Sequence, residues 1–130
     1  VNIDTLRPDM DKHFADFLQG LAHGIGGVKG LDDMAARAGV SRRTLHRRFR
    51  QYTGVAPLEW LMRQRVYRAM RLLETTNDSV TAITGRAGFD AEETLRYHFK
   101  RQTGLAPTAY RERFRGSDVG RSSARTVAGS

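Results

Sequence analysis

The hydrophobic positions along the chain recur with the period of an α-helix and nowhere with the two-residue period of a strand. Phe14, Phe17, Leu18 and Leu21, for example, follow the i, i+3, i+4, i+7 spacing of an amphipathic helix. The same spacing, read together with glycine and proline boundaries, predicts seven helices over residues 10–22, 31–38, 42–52, 58–74, 80–87, 91–102 and 107–114. The predicted fold class is therefore all-α.

The segments between and beyond these helices carry separate expectations. The glycine-rich run 24–30 fits no phosphate-binding motif and follows no strand, so we interpret it as a flexible connector. Ser41 is a good N-cap for the helix beginning at Arg42, and Asp90 with Glu93 is predicted to form a capping box. Residues 116–130 hold Gly, Ser, Ala and Arg with little apolar content, which predicts a disordered tail.

An internal repeat organises the chain. Four residue types return at an offset of 50 residues, in the pairs Leu45 and Leu95, Phe49 and Phe99, Gly54 and Gly104, and Pro57 and Pro107. A short helix, a glycine-containing turn and a second helix form the layout of a helix-turn-helix DNA-binding unit. The predicted organisation is a first helix-turn-helix subdomain (residues 10–56), a linker helix (57–75), a second subdomain (76–115) and the tail.

The second helix of each unit divides into an apolar face and a polar stripe. The residues predicted to read base edges follow i, i+3, i+4, i+7 spacing, and they are Arg43, His46, Arg47 and Arg50 in the first unit and Glu93, Arg96, Tyr97 and Lys100 in the second. Arg pairs with guanine, Glu accepts from cytosine, and His and Tyr hydrogen-bond or pack on thymine methyls. Contacts to phosphates are expected from Ser41, Arg42, Thr44, Thr94 and Arg101.

The positive charge is concentrated in the middle of the chain. The net charge is +8, but residues 37–71 alone hold ten Arg against a single acidic residue, Glu59. An Arg-rich stretch with few acidic partners is typical of a surface that binds a polyanion. The absence of Cys excludes a disulfide framework and a Cys-ligated zinc finger.

Two runs of residues carry a family resemblance. One runs from Leu31 to Phe49 (LDDMAARAGVSRRTLHRRF), and the other comprises Gly88-Phe89, Phe99-Lys100 and the segment GLAPTAYR over residues 104–111. Both resemble the AraC/XylS family of bacterial transcription regulators, over about residues 10–115. The resemblance implies two helix-turn-helix subdomains that read successive major grooves. Residues 94–99 (TLRYHF) are most similar to regulators with a ThiJ/PfpI-like N-terminal domain, which this sequence does not contain.

Three positions depart from the family pattern. Thr84 replaces a small residue, and Gly85 weakens the same helix by about 1 kcal/mol relative to Ala, which predicts a less rigid second unit. Gly30 stands where a Thr or Ser cap is common, and Tyr97 where Arg is frequent. Whether Arg96 or Tyr97 dominates readout in the second unit stays open.

The leading function is sequence-specific double-stranded DNA binding, as the DNA-binding domain of a bacterial transcription regulator. The alternative is a non-specific architectural or recombinase-type DNA-binding module. Glu93 favours the first, because a carboxylate in a groove repels phosphate unless it reads a base, but it could instead complete the capping box with Asp90. An enzyme is not expected, since no GxSxG, HExxH or Cys nucleophile is present.

The partner expectations follow from this function. We expect double-stranded DNA, RNA polymerase through the parent protein, no membrane, no cofactor and no metal. The chain alone is expected to be monomeric, because two recognition helices reach two grooves without a dimer. The expected location is the cytoplasm, at the nucleoid.

Overall fold

Seven α-helices make up the part of the chain that the computed structural model describes, which is residues 12–126 for the backbone and 12–116 for the side chains. They are α1 (Lys12–His23), α2 (Leu31–Ala38), α3 (Arg42–Thr53), α4 (Pro57–Thr75), α5 (Val80–Ala87), α6 (Glu92–Thr103) and α7 (Pro107–Thr126). No strand occurs within those residues, so the predicted all-α class is confirmed. The predicted start of the first helix at Met10 lies outside the described residues.

The long helix α4 contributes side chains to two separate hydrophobic cores. Its first half packs Trp60 and Leu61 into a core formed with α1, α2 and α3. Its second half packs Val66 and Leu73 into a core formed with α5, α6 and α7. Met62 touches both cores, so the two units are joined through continuous packing along one helix.

The repeat seen in the sequence is present in three dimensions. The Thr53 hydroxyl donates to the Phe49 carbonyl at 2.7 Å, and Thr103 makes the equivalent bond to the Phe99 carbonyl at 2.8 Å. The glycine that follows each Thr has a left-handed backbone, with φ of 82° at Gly54 and 83° at Gly104. Helices α3 and α6 therefore end in the same way before the proline that opens the next helix.

The segment between α1 and α2 is packed, so its interpretation as a flexible connector is wrong. Residues Ile25–Gly27 form a 3₁₀ turn, and the side chains of Ile25 and Val28 are buried in the first core. Two apolar side chains among the glycines anchor the segment. The free energy gained by burying them offsets the entropic cost of ordering the glycines.

The start of α2 lacks a side-chain cap, as expected for Gly30. The carboxylate of Asp33 in the first turn instead accepts a bond from the backbone N–H of Lys29, the residue before the cap position, at 2.9 Å. This bond, followed by the Arg37 side chain, lowers the pKa of Asp33 below its ordinary value. The negative charge in the first turn also interacts favourably with the dipole of α2.

The last helix is longer than the sequence predicts. We expected it to end at Phe114 and to be followed by a disordered tail over 116–130, but α7 continues to Thr126. Extending a formed helix needs no new nucleus, so polar residues can continue it without a core to cover. Residues 127–130 lie outside the described part of the chain.

The start of α7 is fastened to the end of α4. The Tyr110 hydroxyl donates to the Glu74 carboxylate, and burial, then this carboxylate, raises the pKa of Tyr110 to about 12. Arg111 donates to the carbonyls of Leu73 at 3.2 Å and Thr76 at 3.0 Å. These bonds satisfy carbonyl groups at the carboxyl end of α4 that have no partner inside the helix.

Gly85 lies in the last turn of α5 on its exposed side, where a Cβ atom would meet nothing within 4 Å. We expect Gly85→Ala to raise the free energy of unfolding by about 0.5–1 kcal/mol, because Ala loses less backbone entropy in a helix. Urea unfolding followed by circular dichroism measures the change.

Gly88→Ala is the matched control, three residues further along. Gly88 has a φ of 100°, and its Cβ would lie 3.0 Å from Arg65 Nε. A left-handed Ala costs about 1–2 kcal/mol before any contact is counted, so this variant should be less stable than the parent. If both substitutions shift stability in the same direction, the backbone assignment of α5 is incorrect.

Candidate nucleic-acid interface

Helix α3, the second helix of the first unit, is oriented by its cap and its buried face. The Ser41 hydroxyl oxygen accepts from the Thr44 backbone N–H at 3.1 Å, which confirms Ser41 as the N-cap. Leu45 and Phe49 are fully buried, and the Phe49 ring lies edge-on to Phe14 with centroids 5.2 Å apart. With this face held in the core, the opposite face of the helix must face solvent.

The four stripe residues of the first unit lie on that solvent face. Arg43, His46, Arg47 and Arg50 are all exposed. Arg50 Nε lies 3.5 Å from His46 Nε2, at the outer limit of a hydrogen bond. None of the three arginines has an ion pair with another residue of the described chain, so their guanidinium groups are available to an external anion.

The second stripe is also exposed, on α6. Glu93, Arg96, Tyr97 and Lys100 face solvent, and Tyr97 is 61% exposed, which is unusual for so large an apolar ring. Arg96 is tethered, because its Nη2 donates to the Glu92 carboxylate at 3.0 Å. The stripe residues of α6 are therefore exposed at the positions that the 50-residue offset from α3 predicts.

The predicted capping box of Asp90 and Glu93 is wrong. The N-cap of α6 is Ala91, which offers no side-chain bond, and Glu93 has no hydrogen bond or ion pair with any described residue. The turn before α6 is one residue longer than its counterpart, which moves Asp90 out of the cap position. Glu92 is the engaged acid, since Thr81 donates to its carboxylate, and that bond lowers its pKa.

The predicted phosphate contacts occupy the ends of both stripes. Ser41 and Thr44 are tied to each other at the start of α3, and Arg42 pairs with Asp32 of α2 at 3.2 Å while remaining exposed. Thr94 and Arg101 are exposed on α6. Arg42 must exchange or share Asp32 if it is to bind a phosphate.

A cleft of about 690 Å³ between α4 and α6 brings Arg63 and His98, which the sequence analysis did not select, beside the predicted phosphate contacts Thr94 and Arg101. Arg63 lines it from α4, and Thr94, His98 and Arg101 line it from α6. These three α6 residues follow i, i+4, i+7 spacing, which is the signal that could have identified this second side of the helix. Burial, then the charges of Arg101 and Arg65, lowers the pKa of His98, so its imidazole is neutral at neutral pH.

Not every arginine of the basic segment can reach an external partner. Arg65 is only 7% exposed and donates to the Val28 carbonyl at 2.8 Å, inside the protein. Arg37 pairs with Asp33 at 3.0 Å and Arg63 with Glu59 at 2.7 Å. The charge available to a polyanion is therefore smaller than the count of arginines in residues 37–71 indicates.

Other kinds of site were sought in the same part of the chain. Residues 12–126 contain no cluster of three or more His, Cys, Asp or Glu that could hold a metal ion. None of the helices described is both long enough and apolar enough to cross a membrane.

Comparisons with known proteins agree with this architecture. A family model described as a helix-turn-helix domain matches residues 34–113. The HTH-type transcriptional regulator Rv1931c of Mycobacterium tuberculosis is 38% identical over 110 residues, which are 85% of this chain and 41% of that protein. The transcriptional activator RhaS of Escherichia fergusonii is 38% identical over 79 residues, 61% of this chain and 28% of that protein. The chain thus spans less than half the length of these relatives.

Solved structures give the same result. The DNA-binding domain of AdpA, crystallised with a target DNA, is similar with a TM-score of 0.74 and 46% identity, over 79% of this chain and 93% of that one. A transcriptional regulator from Chromobacterium violaceum, described with AraC-type DNA-binding domain-containing proteins, has a TM-score of 0.68 and 28% identity, over 75% of this chain and 88% of that one. At 79% and 75% of this chain, both matches are longer than a single helix-turn-helix unit.

Proposed function

The chain belongs to the AraC-type family of helix-turn-helix domains, and we propose that it acts as the sequence-specific, double-stranded-DNA-binding domain of a bacterial transcription regulator. The observation that carries the proposal is the repeated stripe. Two helices, each ending in the same Thr-Gly turn, present exposed polar side chains at matching positions. A protein that reads two stretches of one duplex needs two such helices.

The stripe residues have distinct roles in this proposal. Arg43, Arg47 and Arg50 supply bidentate donors for guanine, while Glu93 accepts from cytosine N4. His46 and Tyr97 hydrogen-bond or pack on thymine methyls, and Arg96 and Lys100 supply the positive charge of the second unit. The contacts that fix the position of the domain on the phosphates come from Ser41, Arg42, Thr44, Thr94 and Arg101.

The linker helix has a length that suits two grooves. With 19 residues, α4 extends about 28 Å, and the bodies packed at its ends extend the distance towards one duplex turn of about 34 Å. A single chain can then place α3 and α6 in successive major grooves on one side of the DNA.

Selection of bound sequences from a random duplex pool tests the proposal. We expect enrichment of a site with two blocks of preferred bases, bound at least about 10³-fold more tightly than random duplex. Binding that is tight but shows no enriched sequence would favour the architectural alternative. The exposed and unpaired carboxylate of Glu93 favours specificity, because a purely phosphate-binding surface gains nothing from it.

The two candidate readers of the second unit should differ in importance. We expect Arg96→Ala to weaken binding to the selected site by about 1–3 kcal/mol, Tyr97→Ala to weaken it less, and Tyr97→Phe least. Arg96 carries a charged fork that Glu92 holds in place, whereas Tyr97 offers a neutral contact. Titration of labelled duplex with each variant gives the order.

Footprinting checks the same assignment independently. The second unit has less positive charge and the glycine-weakened helix α5, so its half of the site should be less protected and should be lost first as salt rises. If that half is instead the better protected one and Arg96→Ala leaves the affinity unchanged, the offset of 50 residues does not identify the DNA-facing residues of α6, and they must be assigned in a different register.

We also propose that the chain alone is monomeric. Sedimentation without DNA should give the mass of one chain, and a stable dimer would contradict the proposal. Because the chain spans only part of its relatives, contact with RNA polymerase through the parent protein and a cytoplasmic location at the nucleoid belong to the same proposal. No catalytic role or cofactor is proposed for it.

A further inference from the structure

The two units touch at a second place besides α4, and this contact involves the segment between α1 and α2. A Cβ atom on Gly26 would lie 2.5 Å from the carbonyl oxygen of Arg86, which is the closest approach of any described glycine. The same carbonyl accepts a bond from Arg68 Nε at 2.9 Å. The chain at Gly26 therefore lies directly against the carboxyl end of α5, and only glycine allows that approach.

Arg65 makes the second half of this contact. Its guanidinium donates to the Val28 carbonyl at 2.8 Å and lies 5.9 Å from the centre of the Phe89 ring. Val28 belongs to the first core and Phe89 to the second. One buried side chain thus joins the first unit to the turn that leads into the second recognition helix. We call the contacts of Gly26, Arg65 and Arg68 with residues 86–89, together with the bond from Arg65 to the Val28 carbonyl, the connector contact.

The repeat shows that the connector contact is a specific feature of the second turn. Phe89 stands where the first unit has Val40, so the ring that faces Arg65 has no aromatic counterpart. The segment 25–28 also contacts the carboxyl end of α2, because Arg37, the repeat partner of Arg86, donates to the Gly27 carbonyl at 3.2 Å. The segment 25–28 therefore lies between the carboxyl ends of α2 and α5.

Two points of attachment fix an orientation that one helix alone leaves adjustable. Long helices bend, and a unit attached only through α4 could rock about it. We propose that the connector contact sets the distance and rotation between α3 and α6, so that the chain discriminates among duplexes by the number of base pairs between the two half-sites. This inference rests on the proposed function, and it assigns Gly26, Arg65 and Arg68 as positioning residues that touch no base.

Binding to a spacing series is the first test. One inserted base pair moves a half-site by about 3.4 Å and about 35° around the duplex. The wild-type chain should lose about 100-fold in affinity for the selected site when one base pair is inserted or removed, since one recognition helix loses its base contacts. Gly26→Gln forces the segment 25–28 away from α5. The affinity of this variant should therefore fall less than about tenfold when one base pair is inserted or removed.

Gly27→Gln is the matched control. A Cβ on Gly27 would meet nothing within 4 Å, and the substitution adds the same uncharged side chain one residue away. This variant should keep the wild-type spacing penalty. If folded Gly26→Gln keeps the full penalty as well, the connector contact does not set the spacing.

A distance measurement tests the contact without DNA. The chain has no Cys, so spin labels can be placed at the exposed positions Gln19 and Thr108, one in each unit. The distance distribution between them should be narrow in the wild type and in Gly27→Gln, and broad in Gly26→Gln. Should Gly26→Gln fail to fold, Arg68→Met removes one bond of the contact and should broaden the distribution in the same way.

The outcomes separate the two levels of the proposal. If the wild-type chain binds every duplex equally, the proposed function fails and the inference fails with it. If the wild type is specific but the label distances stay narrow in the folded variants, only the inference is overturned.

Discussion

Replacing Phe49 with alanine should lower the free energy of unfolding by about 3–5 kcal/mol. The ring is fully buried where α1, α3 and α4 meet, with Phe14 edge-on at 5.2 Å and Trp60 at 5.5 Å between centroids. Its removal leaves a cavity lined by rigid aromatic groups that cannot collapse into it. Because a domain of this size has a total stability of about 5–15 kcal/mol, the measurement is best made by urea unfolding at low temperature.

Arg47→Ala, two residues earlier on the same helix, should affect DNA binding rather than stability. Arg47 is exposed and contributes no core atoms, so stability should barely change, while binding to the selected duplex should weaken by about 1–3 kcal/mol. Phe49→Leu keeps most of the apolar volume and should lose less stability than Phe49→Ala. A destabilised Arg47→Ala with a stable Phe49→Ala would mean that α3 is rotated about its axis and that the stripe is misassigned.

The sequence predicted well those features that local rules determine. The linker helix, expected over residues 57–75, runs from Pro57 to Thr75, because a proline at the first position and a polar, turn-forming run after the last apolar residue mark both ends. The exposure of both stripes also followed from helical periodicity, since burying Leu45 and Phe49 on one face fixes the other. Whether those side chains contact bases stays a prediction.

Features that depend on tertiary contacts were not accessible in this way. Gly26 and Gly27 are identical neighbours in the sequence, and only the approach of α5 distinguishes the glycine that has no room for a side chain from the one that has. Arg65 was counted with the DNA-facing charge because composition cannot reveal that a guanidinium is buried between two units. The cap of α6 was misplaced by one residue for another reason: the sequence shows the extra residue of that turn, and the offset of 50 places Ala91, not Asp90, opposite Ser41.

The affinity for the selected duplex should fall steeply with salt, with a slope of log K against log salt of about −5 to −7. The exposed or half-exposed basic side chains on the recognition helices are sufficient for about six to eight neutralised phosphates, and they are Arg42, Arg43, Arg47, Arg48, Arg50, Arg96, Lys100 and Arg101. Between about 50 and 200 mM salt, this slope corresponds to a loss of about 10³- to 10⁴-fold in affinity.

Two single-charge variants determine whether this dependence originates at the recognition helices. Arg101→Gln removes an exposed cation of α6 and should reduce the magnitude of the slope by about 1. Lys12→Gln removes the same charge from α1, where Lys12 pairs with Asp16 at 3.1 Å, and should leave the slope unchanged. Equal effects of both variants would mean that net charge, rather than the recognition helices, attracts the DNA, and a wild-type slope near zero would exclude DNA as the polyanion.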